Sequence, residues 1–233
     1  MSDPDLEELT ATAVKAALDA GSLIRSHQGG KIEVQHKSGG HTYASQVVTD
    51  VDRKAQDMIL NHLHCSCDQY DLALLTEESE DDRSRFEKEF FWCIDPLDGT
   101  LPFTRGEPGY SVSIALVARG GAPQIGVVYD PVREVLWQAT RGKGVLRNGQ
   151  SWDLAAGGRE LTFTYDRSFE SHPQRERVFK ALESYALSIG LSGLSAIHYG
   201  GAVINACHAL EQAPGCHFKF AKPQEGGGSI WDY

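Results

Sequence analysis

Phe91-Trp92-Cys93-Ile94-Asp95-Pro96-Leu97-Asp98-Gly99-Thr100 is the stretch that decides how this chain folds. An apolar segment of strand character runs straight into two carboxylates separated by Pro-Leu, and Gly-Thr follows. Proline has no amide proton and ends a ladder, so Asp95 is expected at the carboxyl end of the strand. The turn can then aim Asp95 and Asp98 at one point. Carboxylates held that close repel unless a cation lies between them. An all-oxygen donor set suits Mg²⁺ or Mn²⁺ rather than zinc. Thr100 is expected as the N-cap of a helix starting at Leu101-Pro102, since proline is tolerated in a first turn. The amides of Gly99 and Thr100 would then form a seat for a phosphate. The plainer alternative is a buried turn in which an aspartate caps a helix.

Outward from this stretch the pattern is mixed. Residues 72–75 read as a strand, and Thr76-Glu77-Glu78-Ser79 brings further acids to its end. Short strands are expected at 112–117, 125–129, 135–138 and 161–165, with Gly or Pro between most of them. Tyr129-Asp130-Pro131-Val132-Arg133 reads as a hairpin turn. Upstream, Leu6, Leu9, Ala13, Ala16, Ala17, Ala20, Leu23 and Ile24 recur at helical spacing until Gln28-Gly29-Gly30. A second helix is expected from about Asp52 to His64, opened by Val48-Thr49-Asp50-Val51-Asp52. Helical character returns near 173–188 and 202–210. Helices first, strands in the middle and alternation at the end favour an α+β layered sandwich over an all-parallel doubly wound sheet. No GxGxxG or Walker loop occurs, and Gly226-Gly227-Gly228 lacks a Lys-Ser/Thr partner.

The 233 residues make one large domain or two small ones, and the expected division is 1–150 and 151–233. Acidic residues outnumber basic ones 32 to 22, a formal charge of −10, which lacks the basic footprint of a nucleic-acid binder and opposes adhesion to an anionic membrane. No apolar run approaches the ~20 residues that span a bilayer. The acidic start Met1-Ser2-Asp3-Pro4-Asp5 does not read as a signal peptide, and five cysteines without a regular framework read as reduced thiols of a cytoplasmic protein. His62-Leu63-His64-Cys65-Ser66-Cys67 is too tightly spaced for a zinc site and is expected as the frayed end of the second helix.

Taken with Val48–Asp52, Glu77-Glu78-Ser79, the stretch ending at Thr100, the segment Gly142–Gly149 and Trp231-Asp232, the chain resembles the inositol monophosphatase family. That family belongs to the lithium-sensitive, magnesium-dependent phosphatases, which include bisphosphate nucleotidases. The resemblance implies an α-β-α-β-α sandwich. It also implies a metal site of two or three Mg²⁺ ions, with Mn²⁺ as a substitute, held by Glu77, Asp95, Asp98, Asp232 and the carbonyl of Leu97. By the same resemblance, Gly99 and Thr100 hold the phosphate, and Thr100 with Asp52 and Glu77 activates the attacking water. Gly201 and Ala202 fall in a Gly-x-Ala turn on the substrate side. Either Glu225 or Lys219 takes the place of the acid that meets the substrate.

The implied reaction is hydrolysis of a small phosphorylated metabolite, with inositol monophosphate first and a 3′(2′),5′-bisphosphate nucleotide second. The stretch Gly106-Glu107 is similar to the nucleotidase branch. No nucleic-acid polymer or membrane is expected as a partner, and a homodimer is left open. The chain departs from the pattern in having Pro102 where the family has Asn, and in stopping just after Asp232. It is therefore expected to be a family member with its second domain incomplete. A non-catalytic binding or dimerisation module is the alternative from another class.

Overall fold

A computed structural model describes residues 3–28, 34–36, 47–154 and 157–220. Helix α1 (Leu6–Ser26) starts where the Asp5 carboxylate accepts hydrogen bonds from the Glu7 and Glu8 amides at 3.0 and 3.1 Å. Half of its buried stripe is alanine, and Gly21 lies where a Cβ would stand 2.4 Å from the Tyr129 ring. Small residues thus let the helix lie close on the strands. Short strands β1 (Val34–His36) and β2 (Val47–Thr49) pair antiparallel and lead into helix α2 (Asp50–Tyr70).

Helix α2 continues past the expected stop at His64. Leu63 is fully buried, and the Ser66 hydroxyl accepts the indole N–H of buried Trp92 at 3.1 Å. The last turns are therefore held by the core rather than frayed. Cys65 is exposed and Cys67 half-buried on this helix. Residues two apart do not share a helix face, which removes the geometric basis for pairing them on a metal.

Strands β3 (Ala73–Thr76), β4 (Phe90–Asp98), β5 (Ser111–Ala118), β6 (Pro123–Asp130), β7 (Val135–Thr140), β8 (Gly144–Arg147) and β9 (Gln150–Ser151) form one seven-stranded sheet in that order. Only the β3–β4 pair is parallel. Period-two alternation divides the residues of β4. Trp92 and Ile94 are fully buried in the same cluster as the apolar stripes of α1 and α2, whereas Phe91 and Cys93 join Ala73, Leu75 and Val117 on the opposite face. Each large side chain buried in this way contributes on the order of 1.5–3 kcal/mol.

A second sheet holds strand β10 (Leu161–Thr164) between β11 (Leu194–Ile197) and β12 (Gly215–His217), all parallel. Phe163 packs with Val178, Phe179 and Leu182 of helix α4 (Arg175–Ser188). Its neighbour Thr164 points the other way and donates to the Asn205 carbonyl of helix α5 (Ala202–Glu211) at 2.8 Å. Helix α5 in turn packs Ile204 against Val135 and Trp137 of the large sheet. The order is therefore α1 and α2, large sheet, α5, small sheet, α4, which is the expected layered sandwich.

The far end of α5 is clamped to the large sheet. Glu211 sits at the helix C-terminus, where the macrodipole disfavours an acid. Two guanidinium groups offset this. Arg133, from the turn after β6, reaches Oε2 at 2.7 Å, and Arg147 of β8 reaches Oε1 at 2.9 Å. Burial pushes the carboxyl up, but His208, Arg133 and Arg147 outweigh it and hold it at about 2. A depressed carboxyl contributes stability above its unfolded value, and that contribution is lost as pH falls through the folded value. Glu211→Gln should therefore be less stable than the parent at pH 7. In urea unfolding the gap should close progressively below pH ~4.5. A gap that stays constant down to pH ~3 would show that the clamp contributes nothing through this charge.

Candidate functional site

The parallel β3–β4 pair brings two acid-bearing strand ends side by side. Thr76 registers with Ile94, and the Glu77 amide donates to the Ile94 carbonyl at 3.1 Å, so Glu77 leaves its strand beside Asp95. Along β4 the ladder with β5 pairs Asp95 with Ser113 and resumes at Asp98 with Ser111. Pro96 and Leu97 thus stand opposite the single residue Val112, which makes a β-bulge. The bulge is closed by the Leu97 amide donating to Asp95 Oδ1 at 3.0 Å. Proline here interrupts the ladder without ending the strand, which continues to Asp98.

Thr100 does not cap the next helix. Gly99 does, with φ of +88°, and the short helix α3 runs Thr100–Thr104. A Cβ on Gly99 would stand 2.6 Å from the Gly109 carbonyl, so both space and backbone require glycine. This left-handed turn frees the Thr100 hydroxyl for other partners. It lies 3.1 Å from Asp52 Oδ1 and 3.2 Å from the Leu97 carbonyl, two acceptors within reach of its one proton. Asp52 is buried in the first turn of α2.

Asp98 takes a position that depends on a helix far away in sequence. Both carboxylate oxygens accept backbone amides of α5: Ala202 N–H on Oδ1 and Val203 N–H on Oδ2, each at 3.0 Å. An anion at a helix N-terminus is favourable on macrodipole grounds. The plainer alternative of a capping aspartate is thus realised, but on a helix 104 residues away. Gly201 makes room for it. Its φ of −62° is open to any residue, yet a Cβ would lie 2.3 Å from the carboxylate. The Gly201 amide also donates to the Gly109 carbonyl at 2.8 Å. Gly201 and Ala202 therefore join Glu77, Asp52, Asp95, Leu97, Asp98, Gly99 and Thr100 around one end of the large sheet. Glu225 and Asp232 lie outside the described residues. Lys219 stands 3.6 Å from Asp166.

Gln56 was missed by the sequence analysis. It is buried, accepts the Glu78 amide at 3.1 Å and donates to the Ser79 hydroxyl at 2.8 Å, fixing the acidic loop to α2. Its place one helical turn after Asp52 was a usable signal.

Among the described residues no group of three or more His, Cys, Asp or Glu side chains is drawn together closely enough to hold a metal ion. The donor chemistry nonetheless fits a hard divalent cation. Asp52, Asp95 and Asp98 are 1%, 2% and 7% exposed, and the acids at this end offer oxygen alone.

The sequence profile of the inositol monophosphatase family matches residues 5–217. The chain belongs to the inositol monophosphatase family. Inositol monophosphatase 1 of Solanum lycopersicum is 37% identical over 147 residues, which cover 62% of this chain and 51% of that protein. The Nus factor SuhB of Escherichia coli K12 is 37% identical over 137 residues, covering 59% and 49%. The chain thus spans about half the length of the curated relatives it matches. The crystal structure of CysQ from Bacteroides thetaiotaomicron, a bacterial member of the same family, superposes with a TM-score of 0.66 at 26% identity, covering 88% of this chain and 76% of that one. The family is metal-dependent in general.

Gly201→Ala should displace the Asp98 carboxylate and leave two helix amides without their acceptor. A loss of about 1–3 kcal/mol in urea unfolding is expected. A change below about 0.3 kcal/mol would show that the Asp98 contact does not hold α5 in solution.

Proposed function

We propose that the chain is a Mg²⁺-dependent phosphomonoesterase that uses activated water, with inositol monophosphate as its first-choice substrate. The observation that carries this reading is the hydrogen bond from Thr100 to buried Asp52, beside Asp95 and the Leu97 carbonyl. Glu77, Asp95, Asp98, the Leu97 carbonyl and Asp232 are proposed to hold the cations. Bound Mg²⁺ would supply charge compensation for the dianionic ester and make a nearby water easier to deprotonate.

The chain's own groups do the rest. Thr100 Oγ1 donates to Asp52, so its lone pairs are free to accept a proton from the attacking water. Asp52 is the final seat of that proton. Glu77 orients the same water from the end of β3. The amides of Gly99 and Thr100 bind the phosphate, and the bulge holds them in register with the carboxylates. Gly201 and Ala202 meet the organic part of the substrate, with Glu225 completing that side. No serine or cysteine nucleophile is needed. The division into 1–150 and 151–233 is proposed on the same basis: the large sheet lies in the first part except for Ser151 of β9, and the three-stranded sheet lies in the second.

Bisphosphate nucleotide hydrolysis is the second reading, favoured by the Gly106-Glu107 stretch and by the likeness to CysQ. Turnover of inositol 1-phosphate and adenosine 3′,5′-bisphosphate at millimolar Mg²⁺ separates the readings. A clear preference for inositol 1-phosphate is expected, and preference for the nucleotide would overturn the first. Asp95→Asn should lower metal-dependent phosphate release by at least about 100-fold with the fold intact by circular dichroism. Unchanged release at saturating Mg²⁺ would remove Asp95 from the site.

A further inference from the structure

Arg133, in the β6–β7 turn, has no role in the proposed reaction, yet it lies against the C-terminal end of α5 and near Tyr199 of the segment that leads into the helix. Its guanidinium meets Glu211 at the helix C-terminus at 2.7 Å. It also lies 5.9 Å from the ring centroid of Tyr199, which enters the helix N-terminus. The turn bearing Arg133 is fixed in its own right: the fully buried Asp130 carboxylate accepts the Val132 and Arg133 amides at 2.9 and 3.0 Å.

From Tyr199 the contacts run on without a break. The Tyr199 ring stacks on His208 of α5, with centroids 5.0 Å apart and planes 7° from parallel. The Tyr199 and Gly200 amides donate to Asn205 Oδ1, and Asn205 Nδ2 donates back to the Gly200 carbonyl. Asn205 has no exposed surface. The turn at 199–201 and α5 therefore move as one piece. That piece ends in the Ala202 and Val203 amides on Asp98.

An acid at a helix C-terminus is unfavourable for the helix itself. Its two guanidinium partners come from the large sheet, so the clamp ties the helix to the sheet rather than stabilising the helix alone. A ten-residue helix is about 15 Å long and stiff, so fixing its far end fixes the end at the site. We propose that Glu211, Arg133 and Arg147 are positioning residues that set where Gly201 and Ala202 stand against Asp98, and hence how the organic part of the substrate is held. The inference rests on the phosphatase reading only in its last clause. The phosphate seat at Gly99 and Thr100 is not on α5 and meets it only through Asp98 and the Gly109 carbonyl, so it should feel the clamp less than Gly201 and Ala202 do.

Two readouts test this on the full chain. In Glu211→Gln, KM for inositol 1-phosphate should rise about tenfold with kcat within about twofold, the pattern of lost uniform binding. Inhibition by inorganic phosphate should change by less than KM does. Hydrogen exchange of the Ala202 and Val203 amides should become about tenfold faster, while amides of β5 keep their rates. Arg147→Met weakens the clamp without touching Tyr199, and it should shift both readouts the same way by less. It serves in place of Glu211→Gln if that variant does not fold. A lowered melting temperature with KM and both amides unchanged would overturn the proposal and leave the clamp a purely structural one. If the parent releases no phosphate from any ester, the phosphatase reading fails, and the exchange rates alone decide the positioning claim.

Discussion

The contact on which the rest of the molecule depends is the Asp98 carboxylate against the first amides of α5. Asp98 is the last residue of β4 in the large sheet, and α5 is the layer between the two sheets. One buried side chain therefore joins the layers at the same point where the acids gather. Close approach is what allows it. Gly109 and Gly200 meet backbone to backbone with no room for a Cβ on either, and a Cβ on Gly201 would strike the Asp98 carboxylate. Without this seam, the Gly-x-Ala turn would not reach the sheet end that carries Asp95 and Glu77.

The acids are held there by hydrogen bonds from their own neighbours. Leu97 gives its amide to Asp95, Thr100 its hydroxyl to Asp52, and α5 its amides to Asp98. Each bond gives a buried carboxylate oxygen a partner. The arrangement sets oxygen-bearing side chains in buried positions at one strand end, a donor set suited to a hard cationic ligand. Gln56 extends the same logic to the acidic loop, tying Glu78 and Ser79 to the helix that carries Asp52.

Much of this was legible in the sequence because it is local. The apolar run before Asp95, the acids after β3 and the helix opened near Asp50 all declare themselves by short-range pattern. The alternation of helices and strands was enough for the layered order. What could not be read depends on residues far apart. Thr100 looks like an N-cap because threonine prefers that position, but the left-handed Gly99 takes it; the pairing of its hydroxyl with Asp52, 48 residues away, was implied by the family resemblance and not by local pattern. Strands β11 and β12 were missed because they are short and their burial does not alternate. Helix α2 overran its expected end because Ser66 and Leu63 meet Trp92 and the core, partners that helical periodicity does not reveal.

The bulged end of β4 is proposed as the seat of a hard divalent cation. Paramagnetic broadening by Mn²⁺ tests it most directly, since the effect falls steeply with distance and needs no turnover. At substoichiometric Mn²⁺ the account predicts that the amide signals of Glu77, Leu97, Gly99 and Ala202 broaden first, and that excess Mg²⁺ restores them. Broadening confined to the exposed acids of the loop at Glu80 and Asp82, with the β4 end untouched, would contradict it.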